Sequence, residues 1–181
     1  GGFIRNNTAT SGDGGGVYIG GEMTMNMYDV TITGNKASGN GGGVYLGDKC
    51  VIQMSNVTIT GNNAGSNGGG MMLQTSRYID MRNKVEITGN TVENNENNLY
   101  LKDSGKINIT GTLTDSKIGV SLSIDENDYV VVAKGSSYSL TSGDKHVFAL
   151  DDADASYVPI DVDNSVAFQN GDPHKHAICG N

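Results

Sequence analysis

The chain has 181 residues and a formal net charge of -8, with a sequence pI near 4.6. That balance argues against nucleic acid or an anionic membrane surface as a partner, because both need a basic stripe. Hydrophobic residues make up 36% of the chain, below the share usual for a globular domain, and 27 glycines and twenty asparagines replace them.

No apolar run approaches the roughly 18 residues that span a bilayer, and no signal peptide is visible. Residue 1 falls inside a repeat, so the chain is expected to be a segment of a longer protein. The apolar residues recur in register instead of being diluted at random, and the chain is expected to fold.

In chain order, Gly-Gly-Gly-Val-Tyr at 14–18 returns at 41–45 and, as Gly-Gly-Gly-Met-Met, at 68–72. Thr-Ile-Thr-Gly-Asn at 31–35 returns at 58–62 and, as Glu-Ile-Thr-Gly-Asn, at 86–90. A fixed period of about 27 residues marks a solenoid whose repeats pack only on their neighbours. Three short alternating segments recur in each repeat. The first holds Val17 and Ile19, then Val44 and Leu46, Met71 and Leu73, Leu99 and Leu101. The second holds Met25 and Met27, Ile52 and Met54, Ile79 and Met81. The third holds Val30 and Ile32, Val57 and Ile59, Val85 and Ile87. Each pair is spaced i, i+2, which puts both side chains on one side of a strand. The 3.6-residue period of a helix is absent. These features predict an all-β fold: a right-handed parallel β-helix of about four turns, three strands per turn, with an irregular β cap at its C-terminal end.

Asparagine closes the third segment in register, at Asn35, Asn62 and Asn90, with Asn6 in the partial first turn. Asparagine tolerates left-handed backbone, bonds to nearby backbone groups and stacks into amide ladders. The glycine triplets before the first segment are expected to hold backbone conformations closed to other residues.

Phe3-Ile-Arg-Asn6, Ile32-Thr-Gly-Asn35, Ile59-Thr-Gly-Asn62 and Ile87-Thr-Gly-Asn90 resemble the FxxN element of polymorphic outer-membrane-protein repeats. Gly42-Gly43-Val44 and its equivalents resemble the companion GGA(I/L/V) element. The resemblance covers roughly residues 1–111 and implies the β-helical passenger of an adhesin-like secreted or surface bacterial protein.

After Leu101 the rhythm is expected to break, Lys102-Asp-Ser-Gly105 replacing the second segment and truncating the turn. The predicted organisation is thus repeats over 1–111, a terminal turn and β-rich cap over 112–170, and a tail over 171–181. The cap strands are expected at 118–124, 129–133, 146–150 and 158–162, with a separate small β domain as the alternative. In the tail, His174, His176 and Cys179 are zinc-ligand types, but three closely spaced ligands fall short of a site, and the tail is similar to the start of a linker. Cys50 and Cys179 are not expected to form a disulfide, and Cys50 reads as a small buried residue.

Chemistry has few candidates. Asp80 and Arg82 read as a surface ion pair near Glu86, with no second carboxylate beside them. Asp125, Glu126 and Asp128, then Asp151, Asp152 and Asp154, read as solvated acidic turns. No triad, phosphate loop or cofactor motif is present. The expectation is a non-enzyme with no cofactor, and a polysaccharide-cleaving enzyme or its remnant and a pure spacer are the alternatives.

The surface offers more. Tyr18, Tyr45, Met72 and Tyr100 lie between the inward pairs of the first segment and are expected to form an outward ladder in steps of about 4.8 Å. Tyrosine supplies rigid contact area with a polar tip, and it is also simply a good strand residue. The resulting expectation is a monomeric segment of an extracellular or cell-surface adhesin. Its partner would be a host glycoprotein, a glycan or a protein such as immunoglobulin, with no nucleic acid and no membrane insertion.

Overall fold

A computed structural model describes residues 1–74, 78–102, 105–121, 129–135, 137–151, 157–162 and 164–170. It is nearly all β, a solenoid of stacked parallel strands with about five turns rather than about four. The extra turn comes from residues beyond 101, where the stacking continues.

Each repeat begins with a three-residue strand: Val17–Ile19, Val44–Leu46, Met71–Leu73 and Leu99–Leu101 pair in order and in parallel. The second and third segments do not form separate strands. They run on as Thr24–Thr33, Val51–Thr60 and Tyr78–Thr88, each bent in the middle. The bend sits at Asp29, Asn56 and Asn83, whose φ values of 53°, 56° and 57° are left-handed. Asn and Asp adopt this region at low cost, so the chain turns a corner without losing its ladder. In the third turn the register shifts between Arg82 and Val85, which adds one residue at the bend.

The glycine triplets meet the expectation. Gly14, Gly41 and Gly68 have φ of +70°, +63° and +63°. Behind them, a Cβ on Gly42 would lie 2.4 Å from the carbonyl oxygens of Asn63 and Gly69. Adjacent turns approach too closely there for any side chain.

The interior is filled by rows of equivalent residues. Ile32, Ile59, Ile87 and Ile118 form one row, and Ile52, Ile79 and Ile107 another, all fully buried. Met27, Met54 and Met81 form a third, 3%, 1% and 0% exposed. Cys50 is a free, buried thiol of the same core.

The stacking does not break after Leu101. Lys106–Ile109 pairs in parallel with Tyr78–Met81, so Ile107 and Ile109 take the second-segment position one 28-residue repeat after Ile79 and Met81. What the turn lacks is its asparagine corner. Ile118 stacks on Ile87 while Val120, two residues on, already stacks on Leu99. The strand Lys117–Ser121 thus joins two faces that earlier turns separate. Phe148–Leu150 stacks on it in parallel, and Tyr129–Gly135 stacks on Lys106–Ile109. Ser165–Asn170 then runs antiparallel to Tyr129–Gly135, and Tyr157–Val162 antiparallel to Ser165–Asn170.

Candidate functional site

The asparagine corner is a continuous buried amide ladder. Asn35 Nδ2 donates to Asn62 Oδ1 at 3.0 Å, Asn62 Nδ2 to Asn90 Oδ1 at 2.9 Å, and Asn90 Nδ2 to Asn98 Oδ1 at 2.9 Å. Each Oδ1 also accepts the backbone N–H of the preceding rung. The ladder ends on Asp151, which accepts from Asn98 Nδ2 at 2.6 Å and from Asn98 N and Ser121 Oγ at 2.5 Å. An acceptor-only carboxylate is the fitting last member of a row in which every amide passes its protons the same way.

Asn6 is not the first rung. Ile4 pairs with Ile32, which brings Asn7, one residue later, onto Asn35, with Nδ2 2.9 Å from Asn35 Oδ1. Asn6 takes the left-handed position (φ 57°) that Gly34, Gly61 and Gly89 hold in later turns. Asn98 and Asp151 also join the row, and Asp151 is no solvated acidic turn, because its carboxylate ends the ladder. Asn98 had a signal, since it stands where the repeats place the third glycine of the triplet, but Asp151 had none.

The outward row Tyr18, Tyr45, Met72 and Tyr100 is in register as expected. Tyr18 and Tyr45 stack with ring centroids 5.2 Å apart and planes 8° from parallel. Tyr18 is 61% exposed, whereas Tyr45 and Tyr100 are half-buried. The Tyr18 ring lies across Gly20, where a Cβ would meet its Cε1 at 2.8 Å. Burial first, then the charge of Asp13, pushes the Tyr45 phenol above its ordinary value, so it stays a neutral hydrogen-bonding group. Met72 departs from the expectation: it is 2% exposed and offers no surface. It stands in register between Tyr45 and Tyr100 and, unlike them, carries no polar tip to hold at the water boundary.

Asp80 and Arg82 do not form an ion pair. Asp80 Oδ1 accepts from Asn108 Nδ2 at 2.7 Å, and Glu86 pairs with Lys84 at 3.4 Å. In register, Asp80 has Gln53 and Asn108 as neighbours and Glu86 has Thr58 and Lys117. Neither has a carboxylate next to it on an adjacent turn.

One buried carboxylate stands apart. Asp144, 0% exposed, accepts from Leu113 N at 2.7 Å, Thr141 Oγ1 at 2.6 Å, Thr141 N at 2.9 Å and Tyr138 OH at 3.0 Å. Burial pushes its carboxyl up, but these hydrogen bonds outweigh it and hold the group below the ordinary carboxylate value. Its partners are all structural, tying the single helical turn Ser142–Lys145 to the corner at Leu113. His174, His176, Cys179, Asp125, Glu126, Asp128, Asp152 and Asp154 lie outside the described residues.

Stacked parallel strands, in-register interior rows and an amide ladder define a parallel β-helix. The chain matches the family described as periplasmic copper-binding protein (NosD) over residues 1–134, and it belongs to that family, a right-handed β-helix family. No curated protein and no solved structure was found to match the chain. A closer tie to polymorphic outer-membrane-protein repeats is not among these findings.

Proposed function

We propose that this chain is a non-catalytic, extracytoplasmic β-helix that binds an extended saccharide ligand, free or on a glycoprotein, along the outer face carrying Tyr18, Tyr45 and Tyr100. The family's description as periplasmic supports a site outside the cytoplasm, and exposure at the cell surface is the finer reading proposed here. The observation that carries the binding role is the in-register tyrosine row, in which exposed Tyr18 stacks on half-buried Tyr45 at 5.2 Å. The stack turns one face of each ring to the other and leaves ring edges and phenol tips to meet the C–H groups and hydroxyls of a sugar. The isolation of Asp80 and Glu86 from carboxylates on adjacent turns favours binding over hydrolysis of a sugar bond, for which most glycosidases use two carboxyl groups about 5–9.5 Å apart.

Copper, which the family description names, does not fit the described residues. Copper sites converge imidazole, thiolate or thioether ligands on one point. Among the described residues no three His, Cys, Asp or Glu side chains gather. Cys50 Sγ is buried and points at the carbonyl oxygens of Gly21 (2.8 Å) and Ile19 (3.4 Å). The ring Nδ1 of His146 lies 2.5 Å from Ser142 O. The stacked thioethers of Met27, Met54 and Met81 are enclosed in the apolar core. No part of the proposed function runs through copper.

Binding of the wild-type chain to an array of glycans and glycoproteins, repeated with Tyr18→Ala/Tyr45→Ala/Tyr100→Ala, tests the reading. Loss of the wild-type signals in a triple variant that keeps its β circular dichroism is the expected result. Signals that persist unchanged in that variant would sink the ladder as a binding surface.

A further inference from the structure

The long strands turn a second face to solvent, and its chemistry differs from that of the tyrosine ladder. Across successive turns, Gln53, Asp80, Asn108 and Lys134 occupy one in-register row. Tyr78, 39% exposed, lies beside the row with Lys134 Nζ 5.4 Å from its ring centroid. Arg82 is exposed two residues beyond Asp80, on the same side of the strand. Lys106 is the register partner of Tyr78. Around the bend, Lys84 and Lys117 flank Glu86. Five of the chain's 12 lysines and arginines (82, 84, 106, 117 and 134) therefore gather on the third to fifth turns of a protein whose net charge is -8.

An independent observation falls in the middle of this row. Asn108 donates its Nδ2 to Asp80, but its Oδ1 is buried with no hydrogen-bond donor among the described residues. A buried acceptor left this way costs about 1–3 kcal/mol. Its register neighbour Lys134 carries protons, yet places its ammonium over the Tyr78 ring instead. Lys134 is thus held as a charge beside the row, while the Asn108 oxygen lies beneath the face.

We propose that this face binds an acidic polysaccharide, a polymer of uronate sugars lying across the turns. Gln53 and Asp80 take sugar hydroxyls. Arg82 and Lys134 pair with the sugar carboxylates, Arg82 in the forked geometry its guanidinium favours. Tyr78 offers its ring to a sugar face. Turns repeat at about 4.8 Å, so one polymer meets several such contacts at once. Nucleic acid is the poorer match, because one tyrosine is not the series of stacking platforms a single strand uses.

Affinity electrophoresis of the whole chain through gels holding polygalacturonate, neutral dextran or single-stranded DNA tests the assignment. Polygalacturonate is expected to retard the wild type. Arg82→Gln/Lys134→Gln, and separately Lys106→Gln, are expected to weaken that binding, the double variant by about tenfold, with the urea midpoint unchanged. Lys36→Gln/Lys49→Gln, which removes the same charge from exposed sites elsewhere, is expected to bind polygalacturonate as the wild type does, which separates this face from a loss of charge alone. No retardation by polygalacturonate, equal retardation of the double variant, or DNA binding as tight as polygalacturonate binding each overturns the proposal.

Discussion

Asn62 shows how much one side chain does in this fold. Its Nδ2 lies 2.9 Å from Ile32 O, 3.2 Å from Thr60 O and 2.9 Å from Asn90 Oδ1, while its Oδ1 takes both the backbone and side-chain N–H of Asn35. Its side chain therefore binds its own turn and both neighbours. Asn62→Leu, close in size, strands buried donors and acceptors on either side. We expect it to cost about 3 kcal/mol, read from urea unfolding. Asp144 gives a pH-dependent counterpart. Its folded carboxyl titrates below the unfolded one, so its contribution is fully present above the unfolded value, near pH 4, and is lost as pH falls through the folded value. Between pH 7 and pH 3 the urea midpoint of the wild type should fall more than that of Asp144→Asn, which starts lower. Equal slopes would remove Asp144 as the source.

At the scale of the element, corners rather than strands set the geometry. Asn56 sits left-handed at φ 56° and is exposed, with one side-chain bond to Asp29 at 2.9 Å. Asn56→Ala is expected to cost about 1–2 kcal/mol because a Cβ without a polar side chain is disfavoured there. Asn56→Gly is expected to recover most of that loss despite deleting the same hydrogen bond. Gly42 is stricter, since its added Cβ meets two backbone oxygens that cannot move independently. Gly42→Ala should destabilise by about 3 kcal/mol or more, or prevent folding, as judged by thermal unfolding followed by circular dichroism.

At the scale of the whole molecule, stability passes from turn to turn, as expected when repeats touch only their neighbours. The amide ladder carries that coupling through the interior to Asp151, beyond the last regular repeat. Asp151→Asn exchanges a charged acceptor of three hydrogen bonds for an amide with protons of its own. We expect a loss of about 2 kcal/mol and faster hydrogen exchange at 148–150 than at 44–46. Uniform acceleration across both segments would instead mean that the molecule opens as one unit.

The sequence by itself determined the parallel β-helix, because its packing is local in repeat space. Each interior residue touches its own equivalent one turn away, so Ile32, Ile59 and Ile87, or Asn35, Asn62 and Asn90, announce their contacts by recurring. The tyrosine register was legible for the same reason. Only the tertiary structure decided what recurrence does not encode. It placed Asn7 instead of Asn6 on the ladder, because the first interval is 28 residues and a one-residue slip turns a side chain to the other face. It buried Met72 and fused the second and third segments across a left-handed corner. It brought Asp151 onto Asn98, 53 residues away, and set Lys134 beside Asn108 and Tyr78. These contacts join segments without a repeat between them, and their partners are fixed by how the chain closes in space.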